Sequence, residues 1–238
     1  MKNKYFGDVN DYKKYGLLRL LTNLGRIKTV VCWSLTENDG TNDGKLTEYL
    51  GKPHIWENHD PIVYQHLKEC VLERKIREVN AIQQSDVLPG FQFFDQIIHD
   101  DIQSRECYFT ALKRVAEGAD LVFFDPDNGI EVKSIPKGRT RSSKYIYWNE
   151  IEETYHSGQS LLIYQHFPRI SRTLFIHDLI QKVYELDSTC SCFVFRTSNV
   201  MFLLISQRKH EAEFISNFGK IRENWGDLIQ IEEHKLIL

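Results

Sequence analysis

Three short apolar runs constrain the fold of this chain more than any other feature of its sequence. They span residues 29–35, 121–124 and 160–166, and each ends abruptly in polar or turn-forming residues. None shows the polar and apolar alternation of a strand with one face in water, so each is typical of a strand buried on both faces. Such strands belong to parallel sheets that helices cover on both sides.

Segments with a helical spacing of apolar residues separate these runs. They cover residues 9–24, 61–84, 105–117, 145–156, 170–185 and 208–218. Further strands are predicted at residues 91–98, 190–197, 200–206 and 228–231, and a two-residue turn at 198–199 joins two of them as an antiparallel hairpin. This order predicts an α/β fold with a Rossmann-like, doubly wound, mostly parallel sheet and a C-terminal antiparallel hairpin.

Length and composition favour one globular unit. The chain has 238 residues, a length at which α/β proteins commonly form one continuous core. We expect a single domain over residues 1–238, with a helical excursion around residues 52–88. No run approaches the roughly 20 apolar residues of a membrane span, and the first residues lack the apolar stretch of a signal peptide. These patterns predict a cytoplasmic protein with no membrane partner.

The cysteines give no indication of a zinc site or a disulfide framework. They stand at positions 32, 70, 107, 190 and 192, without a Cys-x-x-Cys pair or histidines at zinc spacing. We predict reduced thiols and no metal bound by cysteine or histidine.

Charge points to nucleic acid only locally. The formal net charge of −3 excludes a globally basic protein, yet one segment carries five cations with no acidic residue among them. These are Lys133, Lys137, Arg139, Arg141 and Lys144. We predict that this segment holds the phosphates of a substrate, the alternative being a solvated surface loop.

The most informative polar cluster is the turn Asp125-Pro126-Asp127-Asn128, directly after the apolar run at 121–124. Proline stiffens the turn, while the other three side chains offer carboxylate or amide groups. Two further polar clusters follow strands, at residues 36–45 and 165–169. Because ligands bind beyond the carboxyl ends of parallel strands, we expect all three clusters to form one rim. The alternative is an ordinary strand-ending turn.

Two motifs within this order of elements carry a family resemblance. Asp125 and Pro126 match the first two positions of the Asp-Pro-Pro-Tyr-like motif of amino-methyltransferases, and the whole order resembles class I S-adenosylmethionine-dependent methyltransferases. The opening residues 6–15 resemble the start of the ribosomal-RNA large-subunit methyltransferase J family, a Gly-Asn-x-Ala-Asp-Val-x-Lys-His pattern. Asp8 and Val9 match its Asp-Val, and Lys13 or Lys14 stands near its lysine.

The resemblance implies S-adenosylmethionine as cofactor and a nucleic acid or nucleotide as methyl acceptor. Asp125, Asp127 and Asn128 become the catalytic turn, with Asp125 holding the nucleophilic nitrogen. The cofactor-binding residues it implies are Asp8, Lys13, Trp33, Thr36, Asp39, Gly40 and Asp43. From the local positive charge and the place of residues 165–169 at the rim, we expect the substrate-binding residues to be Lys133, Arg139, Arg141, Lys144, His166 and Arg169, the alternative for His166 being a structural role. Methyl transfer depends chiefly on holding donor and acceptor in line, so carboxylates and carbonyls that position them suffice.

The chain departs from the family pattern at two places. Residues 38–44 replace a glycine-rich cofactor loop and contain only Gly40 and Gly44. Asn128 stands where the catalytic motif carries an aromatic residue that stacks on the target base, so a flipped base needs another stacking partner.

Two alternatives remain open from the sequence. Asp125, Asp127 and Glu131 supply carboxylates for Mg²⁺, and Glu131-Val132-Lys133 has the Glu-x-Lys form of many metal-dependent nucleases. This predicts a nuclease or phosphohydrolase. The other alternative is a catalytically inactive, methyltransferase-like binding module, because a fold does not guarantee its chemistry.

Overall fold

A computed structural model describes residues 1–37, 40 and 44–234 of the chain. Its strands in chain order are β1 (Thr29–Cys32), β2 (Gln92–Phe94), β3 (Leu121–Phe124), β4 (Gly129–Ile130), β5 (Tyr145–Ile146), β6 (Ser160–His166), β7 (Ser191–Arg196), β8 (Val200–Ser206) and β9 (Gln230–His234). Its α-helices are α1 (Val9–Leu21), α2 (Pro53–Trp56), α3 (Pro61–Lys68), α4 (Asn80–Gln83), α5 (Ile102–Val115), α6 (Trp148–His156), α7 (Arg172–Leu186) and α8 (Arg208–Trp225).

A mixed seven-stranded sheet forms the centre of the structure. Its strand order is β2-β1-β3-β6-β8-β7-β9. The first four strands run parallel, whereas β8, β7 and β9 pair antiparallel with their neighbours. β4 and β5 form a separate parallel pair just beyond the end of β3. The expected α/β class, with parallel strands at the centre and antiparallel strands from the C-terminal part, is confirmed.

Helices pack on both faces of this sheet, which explains the unbroken apolar runs. Successive strand residues point to opposite faces. Val31, Phe123 and Leu162 therefore join the core under α1, α3 and α8. Val122 and Leu161 join the core under α5, α6 and α7 on the other side. No residue of β1 or β3 reaches solvent appreciably, so their side chains are apolar apart from Thr29, whose hydroxyl donates to the carbonyl of Ile27.

The predicted helix over residues 61–84 is wrong in its length. α3 ends at Lys68, a π-helical turn covers Glu69–Glu73, and Lys75 takes a left-handed φ of 58° before the short α4 begins. Residues between β1 and β2 instead form several short helices that pack on α1. Tyr12 of α1 donates a 2.6 Å hydrogen bond to the carbonyl of Trp56.

Other predicted boundaries shift for identifiable reasons. The helix predicted from residue 145 begins at Trp148, because Tyr145–Ile146 pair with Gly129–Ile130 as β5. The strand predicted over 91–98 is shorter, covering Gln92–Phe94. The helix predicted over 208–218 extends to Trp225, whose side chain is buried against α1.

The basic loop, which we define as residues 131–144, is held at its end by Arg105 of α5 and by Asp100. Arg105 of α5 is fully buried and pairs with both carboxylate oxygens of Glu150, at 2.5 and 2.8 Å. The same guanidinium donates to the carbonyls of Ser142 and Tyr145. Asp100 accepts the backbone N–H groups of residues 141 and 143, at 2.8 and 2.7 Å. The end of this basic loop is therefore held in one conformation.

Neither a membrane span nor a disulfide occurs in the part of the chain that the structure describes. No helix in residues 1–37, 40 and 44–234 combines the length and apolar character needed to cross a bilayer. All five cysteines are free thiols, as the sequence predicts.

Replacing Arg105 by Met should destabilise the fold, because it leaves Glu150 buried with only the partly exposed Lys137 as a charged partner. We expect a loss of about 3 kcal/mol in the free energy of unfolding, measured by urea denaturation. Arg114→Met on the exposed face of the same helix is the matched control and should change it by less than about 0.5 kcal/mol. Equal effects of the two substitutions would contradict a structural role for the Arg105–Glu150 pair.

Candidate functional site

A cavity of about 330 Å³ lies beyond the carboxyl ends of β3 and β6, which we call the rim cavity. The first turns of α1 and the N-terminal residues close it from one side. Its lining comprises Met1, Tyr5, Asp8, Asn10, Asp11, Lys14, Gly44, Leu46, Asp125, Pro126, Asp127, Asn128, Tyr164 and His166. Carboxylates, ammonium groups, phenols and an imidazole thus meet in one space.

The start of α1 is built to present polar side chains to the rim cavity. Asp8 caps the helix, and its carboxylate accepts the N–H groups of Asn10 and Asp11 at 2.7 and 3.2 Å. Gly7, with a φ of 83°, donates its own N–H to the Asp11 carboxylate at 3.0 Å. Helical spacing then places Lys14 one turn beyond Asp11 on the same side.

Lys14 joins α1 to the end of β3 through two buried ion pairs. Its Nζ lies 2.6 Å from Asp11 Oδ1 and 2.6 Å from Asp125 Oδ2, and all three side chains are almost fully buried. The ammonium also lies 5.4 Å from the centroid of the Tyr164 ring and 5.9 Å from that of Trp33. Two carboxylates and aromatic faces therefore replace its hydration shell.

The pKa values of these three groups follow from burial and mutual attraction. Burial alone would lower the pKa of Lys14, but the charges of Asp11 and Asp125 outweigh it and raise the pKa above its usual value. Burial raises the pKa of Asp11 and of Asp125, and the nearby ammonium only partly offsets it. The positive charge of Lys14 holds the cluster together, because without it the two buried carboxylates of Asp11 and Asp125 would repel each other.

Asp127 is engaged by the N-terminal residues. Its carboxylate lies 2.8 Å from the amino group of Met1 and 3.3 Å from Lys2 Nζ, and it accepts a 3.1 Å hydrogen bond from the Thr36 hydroxyl. Burial opposes ionisation of this group, but the two ammonium groups prevail and lower the pKa of Asp127. It is therefore a fixed negative charge on the wall of the cavity.

The turn is fastened to β6 by Gln165. The side chain of Gln165 accepts the N–H of Ile130 at 2.7 Å and donates to the carbonyl of Asn128 at 3.3 Å. Gly129 has a φ of 114°, and a Cβ there would overlap the Gln165 amide. Asn128 also donates its N–H to the carbonyl of Lys144. The position of the turn is thus determined by β6 and by the end of the basic loop.

Tyr164 and His166 leave β6 on the face that carries the rim cavity. The Tyr164 hydroxyl lies 3.1 Å from His166 Nε2. His166 remains exposed at the mouth, yet partial desolvation of its ring lowers its pKa, against the opposing charges of Asp125 and Asp127. His166 is therefore mainly uncharged near neutral pH and can accept a proton.

One buried acceptor on the wall has no partner. Asn10 is 8% exposed, and its Oδ1 makes no hydrogen bond within the described part of the chain. Buried polar atoms are nearly always paired, and an unpaired one is often explained by an absent water or ligand. The wall thus fits a ligand that donates a hydrogen bond at this point.

The structure brings only part of the expected site together. The predicted residues that line the rim cavity are Asp8, Asp125, Asp127, Asn128 and His166, and Thr36 reaches its wall through Asp127. Trp33 is buried behind the wall and stacks on Phe93, and Lys13 is buried outside the lining.

Other predicted residues lie elsewhere. Gly40 is exposed with a φ of 68°, whereas Asp39 and Asp43 lie outside the described residues. The side chains of Lys133, Arg139, Arg141 and Arg169 are exposed and do not line the rim cavity, and Lys144 is half-buried with its carbonyl on the Asn128 N–H.

Sequence reasoning missed Asp11, Asn10 and Tyr164, and it named Lys14 only as an alternative to Lys13 for the family lysine. The helical spacing of Asp8, Asp11 and Lys14 was the available signal, since it places all three on one side of a helix. Asp95 was missed as well, although it directly follows the apolar strand β2. It is exposed at the carboxyl end of that strand, the same type of position as Asp125 after β3.

The three carboxylates of the magnesium hypothesis do not converge. Asp125 pairs with Lys14, Asp127 pairs with Met1 and Lys2, and Glu131 accepts the N–H of Trp148 at 3.2 Å. Within residues 1–37, 40 and 44–234, no three His, Cys, Asp or Glu side chains are arranged to hold a metal ion.

Comparison with known proteins gives a distant structural likeness. No protein-family model and no curated protein matches the chain. Among solved structures it is similar to the crystal structure of protein LPL1258 from Legionella pneumophila str. Philadelphia 1, which bears the family designation DUF519. The two share 11% sequence identity with a TM-score of 0.43 over 97% of each chain. At this level of similarity neither fold nor function transfers between them.

Replacing Lys14 by Met should destabilise the protein by about 3 kcal/mol at neutral pH, because Asp11 and Asp125 lose the charge between them. Their pKa values then rise further above those in the unfolded chain. The folded variant holds protons that the unfolded chain releases, so its stability falls as pH rises above the usual carboxyl range. Urea unfolding should therefore show a smaller loss at about pH 5 than at about pH 8.

The control for this substitution is the double variant Lys14→Met with Asp125→Asn. Removing one of the two facing carboxylates should restore part of the lost stability and flatten its pH dependence. A loss that is the same at both pH values, or that the second substitution deepens, would show that Lys14 does not act through these carboxylates.

Proposed function

We propose that this chain is an S-adenosylmethionine-dependent methyltransferase-like enzyme that acts on a nucleic acid or a nucleotide. The observation that carries the proposal is the rim cavity itself. The turn at Asp125–Asn128 closes a polar cavity at the carboxyl ends of parallel strands, and that turn carries the Asp-Pro start of an amino-methyltransferase motif.

The strand order supports this assignment. β1 has β2 on one side and β3 on the other, so the strand order reverses at β1. Doubly wound, Rossmann-like sheets bind their ligands outside the carboxyl ends of the strands at such a switch point. We interpret the sheet as an arrangement of this kind, with the antiparallel strands β7, β8 and β9 added at one edge.

The residues near the switch point fit the cofactor. Asp95, at the end of β2, has the position from which an acidic residue accepts hydrogen bonds from ribose hydroxyls in dinucleotide-binding sheets. Thr36 and the fixed charge of Asp127 lie after β1 and β3, and the unpaired Asn10 acceptor suits an amine donor. When bound, S-adenosylmethionine supplies an electrophilic methyl group.

The remaining groups of the rim cavity position the methyl acceptor. Lys14 holds the Asp125 carboxylate in one orientation, and that carboxylate accepts a hydrogen bond from the acceptor nitrogen. Tyr164 offers an aromatic surface and a hydroxyl. His166, uncharged near neutrality, takes up the proton that the nitrogen loses. Holding the reactants in line is the main requirement of this reaction, and a buried, cross-linked wall meets it.

Substrate phosphates have candidate partners on the basic loop and after β6, outside the lining of the rim cavity. Lys133, Arg139 and Arg141 are exposed on the basic loop, and Arg169 is exposed just after β6. Arg105 and Asp100 hold the end of that loop in place, so less conformational entropy is lost when a polyanion binds. These cations would supply affinity and orientation rather than sequence recognition.

Cofactor binding is tested by calorimetry with S-adenosylhomocysteine. We expect measurable binding to the wild type and about tenfold weaker binding to Asp95→Ala, since a charge-assisted hydrogen bond is lost. Asp227→Ala, which removes an exposed carboxylate far along the chain, should leave the affinity unchanged. Absence of any binding to the wild type would refute the proposed function.

Turnover is tested with a radiolabelled methyl donor and structured RNA, DNA and nucleotides as acceptors. Asp125→Asn should lower the transfer rate roughly 100-fold while leaving the affinity for S-adenosylhomocysteine nearly unchanged, because the acceptor nitrogen is misplaced. Asp178→Asn, an exposed position on α7, is the control. Cofactor binding without transfer to any acceptor would instead favour a methyltransferase-shaped binding module.

A further inference from the structure

A second cavity of about 500 Å³ opens in the helical segment between β1 and β2. We call it the excursion cleft. The turn after the π-helical residues and the short α4 form its wall. Its polar lining includes His66, Arg74, Lys75, Arg77, Glu78 and Asn80. Three permanent cations therefore face one carboxylate.

The backbone beside the excursion cleft has two unusual features. The π-helical turn Glu69–Glu73 leads directly into it, and Lys75 takes a left-handed φ of 58°. Two backbone hydrogen bonds hold this turn. The N–H of Arg74 donates to the carbonyl of Glu69, and the N–H of Ile76 donates to the carbonyl of Cys70. Both π-helical turns and left-handed non-glycine residues occur preferentially at functional sites.

Two cations of the excursion cleft, Arg74 and Lys75, are only weakly neutralised by the residues that the structure describes. Lys75 forms no ion pair with any residue that the structure describes. Arg74 Nη1 lies 3.7 Å from Glu69 Oε1, but both side chains are 57% exposed, so water screens this pair. Among the described residues, Glu78 is the one carboxylate in the lining. The cleft thus retains net positive charge and hydrogen-bond donors for a ligand.

Arg77 links the excursion cleft to the rim cavity. Its Nε donates a 3.0 Å hydrogen bond to the carbonyl of Phe6, and its Nη2 donates to the carbonyl of Gly44. Gly44 lines the rim cavity, and Phe6 lies two residues before the helix cap Asp8. These contacts hold the guanidinium in place, and its other N–H groups have no hydrogen-bond partner in residues 1–37, 40 and 44–234.

We propose that the excursion cleft is a second ligand site, which binds a phosphate group through Arg74, Lys75 and Arg77. A planar guanidinium and an adjacent ammonium suit the oxygens of a phosphate. The group belongs either to a nucleic-acid backbone or to a free phosphate compound, since both present the same oxygens. This site does not depend on the proposed methyl transfer, and its test involves no methyl donor.

Calorimetry at about 0.15 M salt tests the proposal with pyrophosphate and with a single-stranded oligonucleotide of about ten nucleotides. The double variant Arg74→Gln with Lys75→Gln removes two cations from the cleft. Lys113→Gln with Arg114→Gln removes two exposed cations from α5 and is the charge-matched control. We expect the first to weaken binding roughly tenfold or more and the second to leave it nearly unchanged.

The single variant Lys75→Gly separates binding from folding. Glycine adopts the left-handed conformation freely, so this substitution should keep or raise the melting temperature while weakening the same binding several-fold. If the substitutions in the cleft weaken the binding of pyrophosphate, the ligand is a free phosphate compound. If they weaken only the binding of the oligonucleotide, the ligand is a nucleic-acid backbone. Absence of binding of either probe to the wild type, or equal weakening in both double variants, would overturn the proposal.

Discussion

The buried ammonium of Lys14 between Asp11 and Asp125 is the interaction on which the candidate site depends. It connects the first helix to the end of a central strand across more than a hundred residues of sequence. Either carboxylate alone would be costly to bury, and the pair would repel each other without the cation. The polar groups of the rim cavity can face one another only because this charge lies between them.

A second set of contacts gives the site its rigidity. Gln165 fastens the Asp-Pro-Asp-Asn turn to β6, and the carbonyl of Lys144 receives the N–H of Asn128. Arg105 then holds the end of the basic loop against α6. A reaction that depends on alignment rather than on strong acids or bases needs such a wall, because small displacements of the reactants cost large factors in rate. The same rigidity suits a binding module, so turnover has to be measured separately.

Much of the fold was predictable, and the reason is the chemistry of single segments. Residues 121–124 and 160–166 are strands as predicted, because an apolar run that short has few other ways to be buried. The helix predicted over 61–84 failed, since its apolar spacing does not reveal the left-handed turn at Lys75. In the candidate site, Asp125 was predicted from its place directly after β3 and His166 from its place at the end of β6. Asp11 was missed, and Lys14 was named only as an alternative to Lys13, because both lie before β1 on a helix, where no strand end marks them.

The sequence by itself determined the α/β class, the antiparallel strands of the last third and the polar turn after β3, because hydrophobic period and turn chemistry are local properties. Only the tertiary structure decided that α1 packs on the sheet and brings Lys14 to Asp125. Only it decided that Asp127 pairs with the N-terminal residues, leaving Asp125, Asp127 and Glu131 without a common centre. Such pairings depend on how distant segments meet, and no local pattern encodes them.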